Sequence, residues 1–507
     1  MKIKDVSYVI VQAGGRGERL EHYTFNKPKC LLSVNGEPML YRLFSHFPNA
    51  HFIIIGDYHY HVLEKYLKVV PPGVDAELLR SQDKGTLAGI KEAISRIEDP
   101  LAPLTIVWSD LLFEVFPDGE VNDNPVIGLS RSFLCRWSLD LRGKLVNLPS
   151  DKRGIAGFFC FPNKQFLTGL PDSGEFVKYL SGLDYCFIPL YLDGVYELGS
   201  LEAVYDFREN HPVTRFFNSI EIKEHVVVKR ARDAAFAHLI DKETNWYEKV
   251  SQVGFKRVPR LISRHPLTIE RIKGCHAFDI EAPEAKKRTI LSNMLDCFTD
   301  LHCIESIPPD YEAVRDVYYQ KTIDRVASVQ ELIPNVKEET LHVNNVHCRN
   351  PFHPKHREWF SKKIQALEVE DFSIIHGDLT FSNILIDKHD QPWLIDPRGH
   401  FAKVLFYGDR NYDWAKLYYS AMGNYDQFNR KRFRLKVEGA VVKLDIASNG
   451  WESQALLIRE RFDGDFADIE LIHALIWLSL SGYVKDDYDS ILASFYNGLY
   501  WLEQTES

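Results

Sequence analysis

A glycine-rich loop near the start of the chain has the residue types that bind phosphate. Gly14, Gly15 and Gly17 follow directly on a short apolar run. Glycine has no Cβ, so successive backbone N–H groups of such a loop can approach and point at phosphate oxygens. Fixed positive charge for a triphosphate comes from three nearby side chains: Arg19, Lys27 and Lys29. The pattern predicts a loop that holds a triphosphate under attack at its α-phosphorus.

A second pattern, in the C-terminal half, carries the oxygen ligands and the base that phosphoryl transfer needs. An apolar strand leads into His376-Gly377-Asp378, and Asn383 follows five residues after the aspartate. A second apolar strand ends in Asp396. A carboxylate can orient or deprotonate an acceptor hydroxyl, while oxygen atoms of asparagine and aspartate bind Mg²⁺. These three side chains therefore predict a kinase-type reaction.

A lysine and a glutamate upstream of this pattern complete the second site. Lys229 lies in a predicted strand over 224–229, and Glu243 lies in a predicted helix over 233–250. Kinase-like folds fix the α- and β-phosphates of ATP with a strand lysine held by a helix glutamate. Glu248 lies in the same helix, but Glu243 has the better spacing from the Val258-Pro259 stretch, so we expect Glu243 to be the partner.

The elements that position these residues are of mixed type. A buried strand over 6–12 precedes the glycine loop, and an amphipathic stretch over 39–47 follows it. The apolar run 105–108 is a further strand and is followed by Ser109 and Asp110. This order of strand, phosphate loop, helix and strand predicts an α/β first half, whereas a polar segment with Pro212 marks a change of pattern.

Length and composition limit the classes of protein. The chain has 507 residues, more than the roughly 250–300 at which one hydrophobic core stops growing, so we expect separate domains at 1–212 and 220–507. Its formal charge of −10, with no basic block, argues against nucleic acid as a partner. Apolar runs are too short for membrane insertion or a secretory signal, and eight scattered cysteines without a CxxC pair favour reduced thiols in a cytoplasm.

The first half resembles the sugar-phosphate nucleotidyltransferase family over residues 1 to about 210. The resemblance rests on the glycine loop, on Lys27-Pro28-Lys29 and the residues after it, and on 81–86, 105–110 and 196–202. It implies a Rossmann-like fold, a mixed sheet with flanking helices. It also implies that 81–86 cradles base and ribose, through Gly85 and Thr86, with Arg80 and Gln82 placed to contact the base. Asp110 is then a Mg²⁺ ligand beside the α-phosphate.

One residue departs from this family's pattern. Glu197 lies where the family has a metal-binding aspartate, and its extra methylene shifts the carboxylate by about 1 Å, which Mg²⁺ geometry resists. We expect Asp110 to be the main ligand and Glu197 the second, with Asp193 as an alternative to Glu197.

The second half resembles the aminoglycoside phosphotransferase and choline kinase family over about 220–507. The resemblance implies a bilobal, protein-kinase-like α+β domain. By it, Asp378 is the catalytic aspartate, Asn383 and Asp396 bind Mg²⁺, and Lys229 with Glu243 holds ATP. Arg398 departs from the pattern, since many members have Asp-Phe-Glu where this chain has Asp396-Pro397-Arg398. Arg398 is suited either to binding a phosphate or to pairing with an acidic neighbour.

A group of histidines and one cysteine forms no standard zinc pattern. Its members lie close together in the sequence, near two prolines that indicate a loop: His342, His347, Cys348, His353 and His356. We expect these residues to be structural.

Together, the two halves predict a bifunctional enzyme. The C-terminal domain phosphorylates a small hydroxyl compound with ATP, and the N-terminal domain transfers a nucleotidyl group from CTP, UTP or GTP to that phosphate. We expect a sugar phosphorylated at its anomeric hydroxyl, giving a nucleotide sugar for a cell-surface glycan such as capsule. The alternatives are choline or another amino alcohol or polyol, giving a CDP-linked product, and a degenerate domain that senses nucleotide. The sequence leaves the acceptor and the base open and is compatible with an oligomer.

Overall fold

The computed structural model describes residues 1–80, 85–211 and 218–506. Two compact units are present, one of Met1–Val213 with Asp486–Asp489 and the other of Thr214–Lys485 with Ser490–Ser507. Gln82 and the predicted domain end at residue 212 lie outside the described residues. None of the helices in the described ranges combines the length and the apolar composition needed to cross a membrane.

The first unit alternates strands and helices. Its strands are β1 Tyr8–Gln12, β2 Ser33–Val34, β3 Glu37–Pro38, β4 His51–Gly56, β5 Ala76–Arg80, β6 Leu104–Trp108, β7 Leu111–Phe113, β8 Val126–Ser130, β9 Ser138–Leu139, β10 Leu145–Val146, β11 Gly154–Phe161, β12 Ile188–Tyr191 and β13 Val195–Glu197. Its helices are α1 Met39–His46, α2 Tyr60–Val69, α3 Thr86–Arg96, α4 Phe176–Ser181 and α5 Leu201–Asn210.

A mixed sheet forms the centre of this unit. Its path runs β10-β9-β11-β6-β1-β4-β5, with β8 and β12 attached through β11. The segment β5-β4-β1-β6 is parallel and has the strand order of half a Rossmann fold. Central parallel strands are covered on both faces, which explains why β1 is a continuous apolar run. On β4, Ile53 joins the core under α3, whereas Phe52 packs against Phe44 of α1.

The second unit begins with a small sheet and continues into a largely helical region. Its strands are β14 Asn218–Ile222, β15 Val226–Ala231, β16 Leu261–Ser263, β17 Leu267–Glu270, β18 Gly274–His276, β19 Ser306–Ile307, β20 Thr340–Val343, β21 Val346–Arg349, β22 Phe372–Ile374, β23 Ile384–Asp387, β24 Pro392–Leu394, β25 His400–Phe401, β26 Val404–Leu405, β27 Tyr407–Gly408, β28 Phe433–Glu438 and β29 Val441–Ile446.

Its helices are α6 Ala237–Gln252, α7 Glu284–His302, α8 Tyr311–Arg315, α9 Lys321–Ala327, α10 Arg357–Gln365, α11 Arg410–Ala421, α12 Tyr425–Asn429, α13 Ala455–Arg461, α14 Phe466–Leu480 and α15 Tyr488–Gln504. The sheet β14-β15-β17-β16 is antiparallel, and α6 packs against β15. Helix α14 is buried on all sides from Leu471 to Leu480, where it is largely apolar, and it contacts α9 and α11. The predicted fold class, an α/β unit followed by a kinase-like α+β unit, is confirmed.

Candidate active sites

The glycine loop of the first unit lies at the carboxyl ends of β1 and β6. Gln12 is aligned with Trp108 in the parallel register, so the loop after β1 and the turn at Asp110 are neighbours. Gly17 has φ +64°, a left-handed conformation that favours glycine, and a Cβ on Gly15 would lie 3.4 Å from Lys29 Cε. The loop therefore brings its backbone directly beside a lysine, at the edge of the sheet where open α/β folds bind ligands.

Two ion pairs cross this site. Lys29 Nζ lies 2.5 Å from Asp110 Oδ2, and Arg19 Nη2 lies 3.2 Å from Glu197 Oε1. The carboxylates are neighbours because β7 pairs with β13, where Leu111 is aligned with Glu197. The site thus holds two cations and two carboxylates within one small region.

The acidic pair has the properties of a cation site. Asp110 is 6% exposed, and its Oδ1 has no hydrogen-bond partner among the described residues. Burial and the nearby Asp110 raise the pKa of Glu197, and Arg19 only partly opposes this shift. Two adjacent carboxylates with a free buried oxygen fit Mg²⁺, whose ligands are oxygen atoms. Asp193 is exposed in the turn before β13, so Glu197 is the residue that faces Asp110.

A cavity of about 520 Å³ opens beside these residues. Among the predicted residues, it is lined by Gly15, Arg19, Lys29, Thr86, Asp110 and Glu197. A smaller neighbouring cavity of about 200 Å³ is lined by Gly14, Gly85 and Thr86, together with Asp57 of the loop after β4. The two cavities bring together most of the residues that the sequence predicts for nucleotide binding.

Two predicted residues lie elsewhere. Lys27 is 1% exposed, and its Nζ lies 2.6 Å from Asp487 and 2.9 Å from Asp489. A buried lysine needs such partners, and this pairing directs the ammonium away from the lining of the described cavities. Arg80 is exposed, with its guanidinium carbon 5.5 Å from the centre of the Tyr60 ring.

The larger cavity is also lined by residues that the sequence pattern did not predict. Gln12 lies at the end of β1, and its Nε2 donates to the Thr86 carbonyl at 3.3 Å. Arg136 and Glu175 form an ion pair of 3.4 Å on the cavity wall. Gln12 could have been found from its place directly before the glycine loop, whereas no local pattern marks the other two.

In the second unit, an apolar cleft of about 440 Å³ lies beside the small sheet. Its lining includes Ile220, Val227 and Ile269 from the sheet, with Lys229 and Asp396 at the polar end. Lys229 Nζ lies 2.6 Å from Glu243 Oε1 and also contacts Asp396 Oδ1. An apolar cleft with a carboxylate-held lysine at one end is suited to a nucleotide whose phosphates face the lysine.

Glu243, and not Glu248, is in contact with this lysine. Glu248 forms an ion pair with Arg264 instead. Trp246 lies on the same helix, is fully buried, and donates from Nε1 to the Ile375 carbonyl at 2.8 Å. Gly399 has φ +65°, and a Cβ there would lie 2.9 Å from Cβ of Trp246. Helix α6 thus contacts the segments that follow β22 and β24, which carry Asp378 and Asp396.

Asp413 holds the loop that carries the predicted catalytic aspartate. This fully buried carboxylate accepts hydrogen bonds from the backbone N–H groups of His376 and Gly377, both at 2.8 Å. The Asp378 N–H donates to His376 Nδ1 at 3.3 Å, and His376 Nε2 donates to the Ile395 carbonyl at 2.9 Å. Burial lowers the pKa of His376, in agreement with a neutral ring that bridges the two strands.

Asp378 lies between an amide and an ammonium group. Asn383 Nδ2 donates to Asp378 Oδ2 at 3.1 Å, and Lys416 Nζ lies 3.0 Å from Oδ1. Burial alone would raise the pKa of Asp378, but Lys416 and Arg398 outweigh it and hold the pKa well below its usual range. The side chain keeps 30% of its surface exposed. It is therefore an ionised carboxylate that a substrate can reach.

Asn383 and Asp396 lie on neighbouring segments, since the Ile395 N–H donates to the Asn383 carbonyl at 2.9 Å. Asn383 is 1% exposed, and its Oδ1 has no hydrogen-bond partner within the part of the chain that the structure describes. Asp396 follows β24 with φ +55°, a conformation that aspartate tolerates better than most residues, and it contacts Lys229. The free amide oxygen and this carboxylate fit Mg²⁺ bound to nucleotide phosphates.

The histidine group does not form a cation site. In the described ranges no set of three His, Cys, Asp or Glu side chains could hold a metal ion. His342 and His347 stack across the β20–β21 hairpin with ring centres 4.9 Å apart, and His353 begins a short helical turn.

The second unit has a kinase-like fold. Residues 214–434 match the model of the Phosphotransferase enzyme family (APH), and the C-terminal part of the chain contains a domain of this family. The phosphotransferase resemblance seen in the sequence is confirmed.

Solved structures similar to the chain cover its N-terminal part. HddC from Yersinia pseudotuberculosis is 21% identical, with a TM-score of 0.34, and the match covers 40% of this chain and 98% of HddC. The inositol-1-phosphate CTP transferase from T. maritima is 18% identical, with a TM-score of 0.31, covering 41% of this chain and 98% of that one. A UDP-glucose pyrophosphorylase is 13% identical, with a TM-score of 0.32, covering 41% and 100%. No curated protein matches the sequence.

Proposed function

We propose that the chain is a bifunctional enzyme that phosphorylates a small hydroxyl compound and then links the phosphate to a nucleotide. One observation carries the proposal: each unit places a lysine against an aspartate beside a cavity. The pairs are Lys29 with Asp110 and Lys229 with Asp396. A lysine binds phosphate oxygens and an aspartate supports the accompanying cation, so each pair is suited to a nucleoside triphosphate.

In the second unit, the reaction is transfer of the γ-phosphoryl group of ATP. The acceptor oxygen forms a bond to the γ-phosphorus while the bond between that phosphorus and the β,γ-bridging oxygen breaks, and ADP leaves. Asp378 orients the acceptor hydroxyl and receives its proton, while Lys229 holds the α- and β-phosphates. Asn383 and Asp396 would hold Mg²⁺, which neutralises phosphate charge when it is bound.

In the first unit, the reaction is nucleotidyl transfer. An oxygen of the phosphate made by the second unit attacks the α-phosphorus of a second nucleoside triphosphate, and pyrophosphate leaves. Arg19, Lys29 and the N–H groups of the glycine loop hold the triphosphate in line with the attacking oxygen. Asp110 and Glu197 would hold Mg²⁺ on the α-phosphate, where it withdraws charge from the reacting phosphorus.

We infer that the acceptor is a sugar phosphorylated at its anomeric hydroxyl and that the enzyme acts in the cytoplasm. The product is then a nucleotide sugar that is used to make a cell-surface glycan. Support comes from the match in chemistry, since the kinase makes the phosphate monoester that the first unit consumes. The second nucleoside triphosphate is CTP, UTP or GTP.

The test is direct product analysis. The full-length protein is incubated with ATP, each nucleoside triphosphate and a panel of sugars and amino alcohols, and product masses are measured. We expect one acceptor to gain a phosphate and then a nucleotidyl group, with release of pyrophosphate. A phosphorylated product that no nucleoside triphosphate converts further would contradict the two-step function.

A further inference from the structure

A group of four basic side chains lies around Tyr412, next to Asp378. The four, called the cationic cluster below, are Lys321 and Arg325 on α9, Arg398 after β24, and Lys416 on α11. Lys321 Nζ lies 5.1 Å and Lys416 Nζ 5.8 Å from the centre of the Tyr412 ring. Three separate segments therefore direct positive charge at one place.

Acidic partners do not balance this charge. Among the described residues, Asp378 is the only carboxylate within 4.0 Å of a side-chain nitrogen of the cluster, and it contacts Lys416. Arg325 instead donates to the Ser479 carbonyl at 3.4 Å, with its guanidinium carbon 5.4 Å from the centre of the Tyr483 ring. Lys321, Arg325 and Arg398 are partly exposed. At least two positive charges of the cationic cluster therefore have no negative partner in the part of the chain that the structure describes. They are also accessible to a ligand.

The titration behaviour of neighbouring groups agrees with an excess of positive potential. Burial lowers the pKa of Lys321 to about 8, and the cations Arg398, Arg325 and Lys416 contribute to this shift. Burial would raise the pKa of Tyr412, but Lys321, Lys416 and Arg398 bring it down to about 7. Clustered cations destabilise one another unless an anion joins them.

The nucleotide does not account for the cluster. The described lining of the apolar cleft contains Lys229 and Asp396 but no member of the cluster. The cluster instead adjoins Asp378, because Lys416 contacts that carboxylate. A molecule bound at the cluster would have its hydroxyl near Asp378, which is the position proposed for the acceptor.

We propose that the cationic cluster binds an anionic group, a phosphate or a carboxylate, of the acceptor that the second unit phosphorylates. This inference rests on the proposed kinase function and narrows it to acceptors with negative charge. It excludes choline and similar cations, which the cluster would repel. The nucleotide-linked product then keeps the anionic group that the cluster recognised.

The test measures binding by titration calorimetry in the presence of saturating AMP-PNP and Mg²⁺, which occupy the nucleotide cleft. All proteins carry Lys29→Gln, so that the phosphate site of the first unit is weakened. The probes are inorganic phosphate, glucose 6-phosphate, glucuronate, glucose and choline. The test variant is Lys321→Gln/Arg325→Gln. The matched control is Lys443→Gln/Arg434→Gln, which removes the same charges from the exposed β28–β29 hairpin.

We expect at least one anionic probe to bind the parent protein and to bind the test variant about tenfold or more weakly, with the control unchanged. Sugar phosphate and glucuronate distinguish a phosphate from a carboxylate ligand. The proposal is overturned if no anion binds, if choline or glucose binds as tightly, or if the test variant binds anions normally. ADP formation is measured separately, so a protein that binds anions but never forms ADP disproves the kinase function alone.

Discussion

Asn383 Nδ2 donates both to the Asp378 carbonyl at 2.8 Å and to Asp378 Oδ2 at 3.1 Å, while Asn383 Oδ1 accepts no hydrogen bond from the described residues. One amide thus has two uses. Its nitrogen fixes the carboxylate that faces the acceptor, and its oxygen stays free for a cation. In the proposed mechanism, this single side chain would link the base Asp378 to the cation.

The first prediction concerns Asp378. Asp378→Asn keeps the size of the side chain but removes the charge that receives the hydroxyl proton, so we expect ADP formation with an acceptor to fall roughly 10²- to 10⁴-fold. Nucleotidyl transfer from a supplied phosphate monoester should stay intact, because Asp378 belongs only to the second unit. The measurement is ADP release and pyrophosphate release on the same preparation. Full kinase turnover in the variant would disprove this role for Asp378.

A second prediction separates two glutamates on one helix. Glu243→Gln removes the charge that holds Lys229, and we expect kcat/KM for ATP to fall about tenfold or more, since hydrogen bonds to charged groups contribute about 1.5–3 kcal/mol. Glu248→Gln is the control, because Glu248 pairs with the partly exposed Arg264. Steady-state kinetics with varied ATP decides between them. Equal losses in both variants would show that the Lys229 contact is not used.

The sequence could predict those site residues that belong to one local sequence pattern. Asp378 and Asn383 lie in the loop between β22 and β23, and Asp396 follows β24, so all three belong to one short segment of chain. In the structure Asn383 contacts Asp378, and Asp396 contacts Lys229. The fold class could be predicted for the same reason, since apolar runs and glycine loops report local structure.

Residues brought together only by tertiary packing were not predictable. Lys27 resembles a phosphate ligand in the sequence, but its partner Asp487 lies 460 positions further along the chain. Lys321 of α9 faces Tyr412 of α11 because both helices pack against α14, and no spacing in the sequence indicates this. Arg398 was open between two roles. Its charge acts both on Asp378 and on the cation Lys321, and the sequence indicates neither neighbour.

The third prediction ranks the acidic residues of the first unit. Asp110→Ala should lower Mg²⁺-dependent pyrophosphate release roughly 100-fold or more, because a buried oxygen without another partner is lost. Glu197→Ala should have an equal or smaller effect, since this carboxylate is already paired with Arg19 and its pKa is raised. Pyrophosphate release by both variants is compared at several Mg²⁺ concentrations. An active Asp110→Ala beside an inactive Glu197→Ala would reverse the ranking.

The fourth prediction is a pH dependence of anion binding at the cationic cluster. Lys321, with a pKa of about 8, loses its positive charge as pH rises, and Tyr412, with a pKa of about 7, gains a negative charge. Both changes act in the same direction, whereas the guanidinium groups of Arg325 and Arg398 stay charged and Asp378, whose pKa is lowered, stays ionised. Affinity for a carboxylate probe should therefore fall as pH rises from about 7 to about 9.

Glucuronate is the suitable probe for this measurement, because its carboxyl group, with a pKa of about 4, does not titrate in that range. Calorimetric titrations at each pH give the dissociation constant. Tyr412→Phe should reduce the change of the dissociation constant in the lower part of this pH range. Lys321→Gln should reduce it in the upper part. A dissociation constant that is independent of pH in the unsubstituted protein would contradict the titrations assigned here.

The last prediction is that the two units act in sequence on one compound, kinase first. The second unit offers a carboxylate, Asp378, to a hydroxyl, whereas the first unit offers Arg19 and Lys29 to a triphosphate under attack by an existing phosphate. An equimolar mixture of Asp378→Asn and Asp110→Ala proteins should therefore form the same nucleotide-linked product as the unsubstituted protein, from acceptor, ATP and the second nucleotide. A longer lag is expected in the mixture, because the intermediate must accumulate in solution when its local concentration is not raised by the covalent connection.

Each variant alone is the control, and Asp110→Ala alone should stop at the phosphorylated acceptor. If that phosphorylated acceptor is never consumed by Asp378→Asn protein, the two units do not share a substrate and the sequential mechanism is wrong.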